Sequence, residues 1–124
     1  MTHKTRTSYQ RGRWAETLAL VHLLEKGLTL LTQNFHARCG EIDLIMRDDT
    51  TIVFFEVKYR ADNMFMNALE TIDKKKRMRI INTSQYYLQS HRWASKKPCR
   101  FDVMLICGSA ENPGIRWIKN AFQA

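Results

Sequence analysis

No apolar run in this sequence approaches the roughly 18 to 20 residues that a membrane span needs. The first residues, "MTHKTRTSYQRGR", are basic and polar with no apolar segment behind them, so a secretory signal is not expected there. Cysteine is scarce: Cys39, Cys99 and Cys107 are odd in number and widely scattered, a pattern that suits neither a disulfide framework nor a zinc site. Buried or idle thiols in a reducing cytoplasm are the expectation. His3, His22, His36 and His91 lie too far apart in the chain to suggest a His/Cys metal cluster. Repeats, low-complexity tracts and an internal domain linker are also missing. Acidic residues are in short supply, with 12 Asp and Glu against 20 Lys and Arg, giving a net charge of +8 and a pI near 9.7. An excess of that size attracts polyanions, of which nucleic acid is the commonest in the cytosol, although it also suits a merely soluble basic protein.

What remains is a chain of 124 residues with 44% hydrophobic content, enough for one packed domain. The pattern predicts a helix from Gly12 to Lys26, stopped by Gly27, with Trp14, Leu18 and Val21 on one face and Ala15, Ala19 and Leu23 widening it. A short strand over 28–32 and a loop over 33–40 lead to a strand over 41–46. The "RDDT" turn over 47–50 then joins it to a long strand over 51–59, rich in β-branched and aromatic residues. Residues 60–71 read as irregular. A second helix is predicted from Asp73 to Gln89, with Met78, Ile81 and Leu88 near one face, then a strand over 100–107 and an edge strand over 115–119. The order αβββαβ, with this extra edge strand, predicts an α/β fold: a sheet of four to five strands packed by two main helices. A basic tail over 1–11 precedes a single domain over 12–124.

Two stretches break the apolar pattern. "GEIDLIM", residues 40–46, sets Glu41 and Asp43 two apart, and "FFEVKYR", residues 54–60, does the same with Glu56 and Lys58. Strand alternation puts each pair on one face, leaving Ile42, Leu44, Phe55 and Val57 to pack on a helix. If the two strands form a hairpin, three carboxylates and an ammonium converge. Crowded carboxylates repel, and a divalent cation relieves that cost, since Asp and Glu oxygens are the hard ligands preferred by Mg²⁺ and Mn²⁺. A nearby ammonium can orient a water or steady charge on a phosphate. The same spacing also suits an exposed, salt-bridged hairpin face. Glu16 shares its helix face with Gly12, Ala19, Leu20 and Leu23. It reads either as a fourth acidic ligand or as a first-turn glutamate satisfying the helix N-terminus.

The second helix begins "DKKKRMR", with Lys74, Lys75, Lys76, Arg77 and Arg79 in its first turns. Cations there oppose the helix dipole by about 0.3–1 kcal/mol each, and an arriving phosphate reverses the sign. Such a patch gives contact with a nucleic-acid backbone without base specificity, and it would also serve as a solvated basic face.

"GRWAETLALVHLLEKG", "QNFHARCGEIDLIMR", "VFFEVKYR", the basic helix, "CRFDVMLICG" and "RWIKNAF" resemble, in that order, the YraN family. These are small bacterial proteins regarded as candidate endonucleases and distantly similar to archaeal Holliday-junction resolvases. The resemblance spans about Gly12 to Phe122. It implies a restriction-endonuclease-like fold with a PD-(D/E)xK site in which Asp43 is the first metal-binding carboxylate and Glu56 and Lys58 are the Glu-x-Lys pair. Glu16 is then the helix-borne acid, and Ile42 replaces the proline of the signature. The expectation is a Mg²⁺- or Mn²⁺-dependent nuclease acting on branched or otherwise structured DNA. Asp43, Glu56 and Glu16 would hold the metal, and Lys58 would attend the water. Lys74 to Arg79, Arg60, Arg11 and Arg13 would hold the DNA backbone, and a homodimer is the simplest way to cut two strands. The alternative is a non-catalytic nucleic-acid-binding module on the same fold, serving as a subunit of a DNA-processing complex.

Overall fold

Helix α1 spans Ser8–Glu25 and starts four residues ahead of the expected Gly12. Thr7 caps it: its hydroxyl accepts the Gln10 N–H at 3.1 Å while Gln10 returns an oxygen to the Thr7 N–H at 2.9 Å. This reciprocal pair satisfies two otherwise orphaned donors. Gly27, at φ 93°, ends the helix as predicted. The computed structural model describes residues 7–61 and 72–124. Residues 1–6 of the expected basic tail and 62–71 of the expected irregular stretch therefore lie outside the described residues.

Five strands follow in chain order across one mixed sheet: β1 (Thr29–Ala37), β2 (Gly40–Asp48), β3 (Thr51–Arg60), β4 (Cys99–Ser109) and β5 (Asn112–Phe122). Neighbours are antiparallel except β3 and β4, which run parallel. That parallel step requires a crossover, which contains α2 (Lys74–Ser90) and a single turn, α3 (Arg92–Ser95). The α/β class, the five strands and the two flanking helices are those expected. Every strand is longer than expected, the two edge strands most of all. The polar segment 33–37 belongs to β1 because an edge strand tolerates polarity on its open side, and β5 runs on to Phe122 for the same reason. Each edge strand contains a residue in the left-handed region, Asn34 (φ 54°) in β1 and Asn120 (φ 51°) in β5. Each edge pairing also has a register shift, at Leu30/Thr32 and at Phe101/Val103.

The sheet has a core on each face. Ala15, Ala19 and Leu23 of α1 pack on Leu44, Met46, Val53, Phe55, Met104 and Ile106. The helix turns this alanine stripe inward, because small side chains let it approach the sheet closely. Val21, placed on the packing face by sequence, is 45% exposed. Helix α2 covers the opposite face with Ile80, Ile81 and Tyr87 against Ile42, Ile45, Phe54, Phe101 and Val103. Met78, another expected core residue, is 47% exposed, and Thr83 and Ser84 are buried instead. Their hydroxyls donate to the helix carbonyls of Arg79 and Ile81, at 2.7 and 2.6 Å, which removes the cost of burying them. Gly40, at φ 150°, lets the β1–β2 turn meet α2: a Cβ there would lie 3.2 Å from the Thr83 hydroxyl.

Asp102 is fully buried within the apolar β4. It accepts hydrogen bonds from Arg100 Nε at 3.1 Å, Trp117 Nε1 at 2.9 Å and the Asn120 N–H at 2.8 Å. Arg100 also reaches Asp48 on β2 at 3.0 Å, so one buried charge joins three strands. Removing one member of such a network leaves the others desolvated and unpaired. Asp102→Asn should therefore cost about 3–5 kcal/mol in urea unfolding. A loss below about 1 kcal/mol would mean that the three donors find other acceptors.

Candidate active site

The pairing of β2 with β3 runs from Asp48–Thr51 to Leu44–Phe55 and goes no further toward Gly40. At the next residue the Asp43 carboxylate takes over, its Oδ2 accepting the Val57 N–H at 2.8 Å. Alternation breaks at this point. Leu44 faces α1 and Ile42 faces α2, although the two were expected on one side. On β3 the alternation holds: Val53, Phe55, Val57 and Tyr59 pack toward α1, which leaves Glu56 and Lys58 on the α2 side. Gly40, Glu41, Glu56, Lys76, Arg79 and Ile80 line a cleft of about 210 Å³ there. On the α1 side, a cleft of about 380 Å³ is lined by residues that include Arg13, Glu16, Asn34, His36 and Glu41. Glu41 thus borders both openings, and it pairs with His36 at 3.3 Å.

Asp43 and Glu56 are brought into contact and share a hydrogen bond. Glu56 is only 7% exposed. Burial, then the charge of Asp43, push its carboxyl up to about 8, with Lys76 pulling the other way. Burial also raises Asp43, against the opposing effect of the Val57 N–H. Glu16 approaches from α1. Burial, with the charges of Asp43 and Glu41, lifts it to about 7 while Arg13 and Asn34 oppose the rise. One of its oxygens, Oε1, is fully enclosed and has no hydrogen-bond partner among the described residues. The cation paired with Glu56 is Lys76, whose Nζ lies 3.3 Å from Oε1. Lys58 stands two residues further along the same face of β3.

The expected nucleic-acid contacts divide by their surroundings. Lys74, Lys75 and Arg79 are exposed at the start of α2. Arg77 donates from Nε to the Ile72 carbonyl at 3.0 Å and lies over the Phe122 ring. Arg13 is exposed at the larger cleft, Arg11 bonds the Ser8 hydroxyl at 3.2 Å, and Arg60 is half-buried at the end of β3. Asn34, His36 and the Val57 N–H gave no sequence signal, because each acts through a fold contact rather than a motif.

Asp43 and Glu56 offer hard carboxylate oxygens in contact, and Glu16 lies close enough to feel the charge of Asp43. Mg²⁺ is commonly held by one or two carboxylates, with water and substrate phosphate completing its shell. Among the described residues no three His, Cys, Asp or Glu side chains form a ready-made cage. The touching pair Asp43 and Glu56 supplies the two carboxylates that such an ion would use, with Glu16 nearby on α1.

Fold and site together define an α/β protein with a buried acidic pair, lysine-compensated, at the parting of two central strands. The chain belongs to the UPF0102 (YraN) family: the model of "Uncharacterised protein family UPF0102" matches residues 15–106. A UPF0102 protein of Stutzerimonas stutzeri (strain A1501) is 47% identical over 118 residues, covering 94% of this chain and 98% of the relative. A UPF0102 protein of Pseudomonas fluorescens (strain Pf0-1) is 44% identical over 120 residues, covering 96% and 98%. One from Legionella pneumophila (strain Corby) is 44% identical over 115 residues, covering 93% and 96%. The described residues contain no helix long and apolar enough to cross a membrane.

A carboxyl raised in the folded state costs stability once the unfolded chain would ionise it. For Glu56 the loss begins near its ordinary 4.5 and is complete above about 8. In chelator, the melting temperature of the parent should therefore fall relative to Glu56→Gln between pH 5 and 8.5, by about 5 °C or more. Parallel melting curves across that range would show that Glu56 ionises as an ordinary glutamate.

Proposed function

We propose that the chain is a metal-dependent nuclease that hydrolyses phosphodiester bonds in DNA, with branched or otherwise structured DNA as its substrate. The observation that carries this reading is the Asp43–Glu56 contact, formed where β2 leaves β3 and buried beside a cationic helix. An acidic pair that destabilises the fold near neutral pH is costly unless it is used, and a divalent cation is the partner that its chemistry suits. The mixed sheet with α1 and α2 on opposite faces accords with a restriction-endonuclease-like fold.

In this reading Asp43 and Glu56 hold Mg²⁺ or Mn²⁺, and Glu16 adds its partnerless oxygen from α1. Such an ion, when bound, polarises a phosphate and acidifies a water. Lys58 orients the water or steadies charge developing on the phosphate. Lys74, Lys75 and Arg79 contact the backbone on the α2 side, with Arg11, Arg13 and Arg60 extending that contact. Contacts of this kind position the duplex without reading its sequence, which suits recognition of DNA shape. Cutting two strands calls for two sites, most simply in a homodimer. Cys39, Cys99 and Cys107 are not joined in disulfides, which suits action in a reducing cytoplasm.

A second reading, a nucleic-acid-binding module that does not cleave, draws on a specific observation. Lys76 already pairs with Glu56, so the acidic pair has a resident cation.

The deciding experiment is cleavage of single-stranded, duplex, flap and four-way-junction DNA with Mg²⁺ or Mn²⁺. Cutting of the branched substrates should fall at least about a hundredfold in Asp43→Ala and in Glu56→Ala. Tight, salt-sensitive binding with no cutting by the parent under either metal would reject the nuclease and leave the binding module.

A further inference from the structure

Helix α2 begins at Asp73, whose carboxylate accepts the Lys76 N–H at 2.8 Å and so fixes that residue in the first turn. The preceding Lys74 and Lys75 are exposed, whereas Lys76 is half-buried and turned toward the sheet. Its side chain is 38% exposed against 9% for that of Glu56, 3.3 Å away. The Lys76 charge acts on Asp43 as well as on Glu56, so one ammonium serves both members of the acidic pair. Its ammonium stands 3.3 Å from Glu56 Oε1, so a divalent cation held by the same carboxylate would meet its charge. Two cations cannot share that space without strong repulsion, since their separation would be a few ångströms in a partly desolvated cleft. Lys76 and Glu56 both line the cleft of about 210 Å³, together with Arg79 and Ile80, so the ammonium has space beside the carboxylate.

We infer that Lys76 is the built-in counter-ion of the acidic pair, holding Glu56 until a divalent cation displaces its ammonium and thereby setting how tightly the site takes that cation. This rests on the reading of Asp43 and Glu56 as a metal site. It separates Lys76 from the exposed lysines beside it, with which it was grouped by sequence. Lys76 is a positioning residue that acts through Glu56. Before the cation arrives it keeps the two carboxyls together, and afterwards it is free to face the substrate.

The test is Mn²⁺ titration of the full chain at one fixed pH and ionic strength, with free Mn²⁺ followed by electron paramagnetic resonance. Lys76→Met should bind Mn²⁺ roughly tenfold more tightly than the parent, as removal of one competing charge predicts. Lys76→Arg, which keeps the charge, should stay near the parent, and Lys75→Met should change by less than about twofold. A merely structural role would loosen binding on substitution, so tightening is diagnostic. Unchanged or weaker binding in a Lys76→Met protein that melts like the parent would overturn the role of Lys76 while leaving the metal site standing. Absence of Mn²⁺ binding in the parent would overturn the metal reading, and this inference with it.

Discussion

Where β2 parts from β3, the N–H of Val57 would face an empty gap if nothing replaced the missing ladder carbonyl. Asp43 replaces it, with one carboxylate oxygen at 2.8 Å. A buried amide left without an acceptor costs about 1–3 kcal/mol, so an acceptor at this position is close to obligatory. The same carboxylate also meets Glu56, with which it shares a hydrogen bond. The reversal of facing between Ile42 and Leu44 belongs to the same local departure from a regular ladder, as does the left-handed Asn34 between their β1 partners. A strand that continued its pairing would have carried Asp43 to one face and closed the space between the two clefts.

The hairpin and α2 meet through the glycine that opens "GEIDLIM". The close approach of Gly40 to Thr83 and Arg79 ties the start of β2 to the helix bearing the cationic residues. Acidic and basic parts of the site are therefore registered by one backbone contact, in addition to the ion pair between Lys76 and Glu56. Asp102 does the corresponding work at the other side of the sheet, where its bonds to Arg100, Trp117 and Asn120 hold β4 and β5. Both carboxylates substitute for regular pairing at places where the sheet departs from it. They differ in compensation, since Asp102 has donors on both oxygens whereas Asp43 has the Val57 N–H on one oxygen and another acid as neighbour.

Much of this was legible in the residues. The β-branched, aromatic run of β3 specifies its alternation strongly, which is why Glu56 and Lys58 could be placed on one face and Phe55 and Val57 on the other. Glu16, between Ala15 and Ala19 on the inward side of α1, was recognisable as a carboxylate turned toward protein. The failures have physical reasons. Residues 33–37 and 120–122 look like loop because their polar side chains are tolerated on edge strands. Val21 and Met78 were assigned inward on hydrophobicity, whereas closeness of approach selected Ala15 and Ala19, and internal hydroxyl bonds allowed Thr83 and Ser84 to replace Met78. The pairing of Lys76 with Glu56 crosses from helix to strand over 20 residues, and no local period reports such a contact.

The two edges of the sheet bear on how this molecule meets others. An edge strand offers unpaired amides and carbonyls to any passing chain, which is the usual route to fibrous aggregation. Here each edge is interrupted by an asparagine in the left-handed region and by a shifted register, and β5 also has Pro113, Arg116 and Lys119 along its length. These breaks twist the backbone away from the straight template that lateral strand addition requires. Both edges of the sheet are thereby guarded against lateral strand addition.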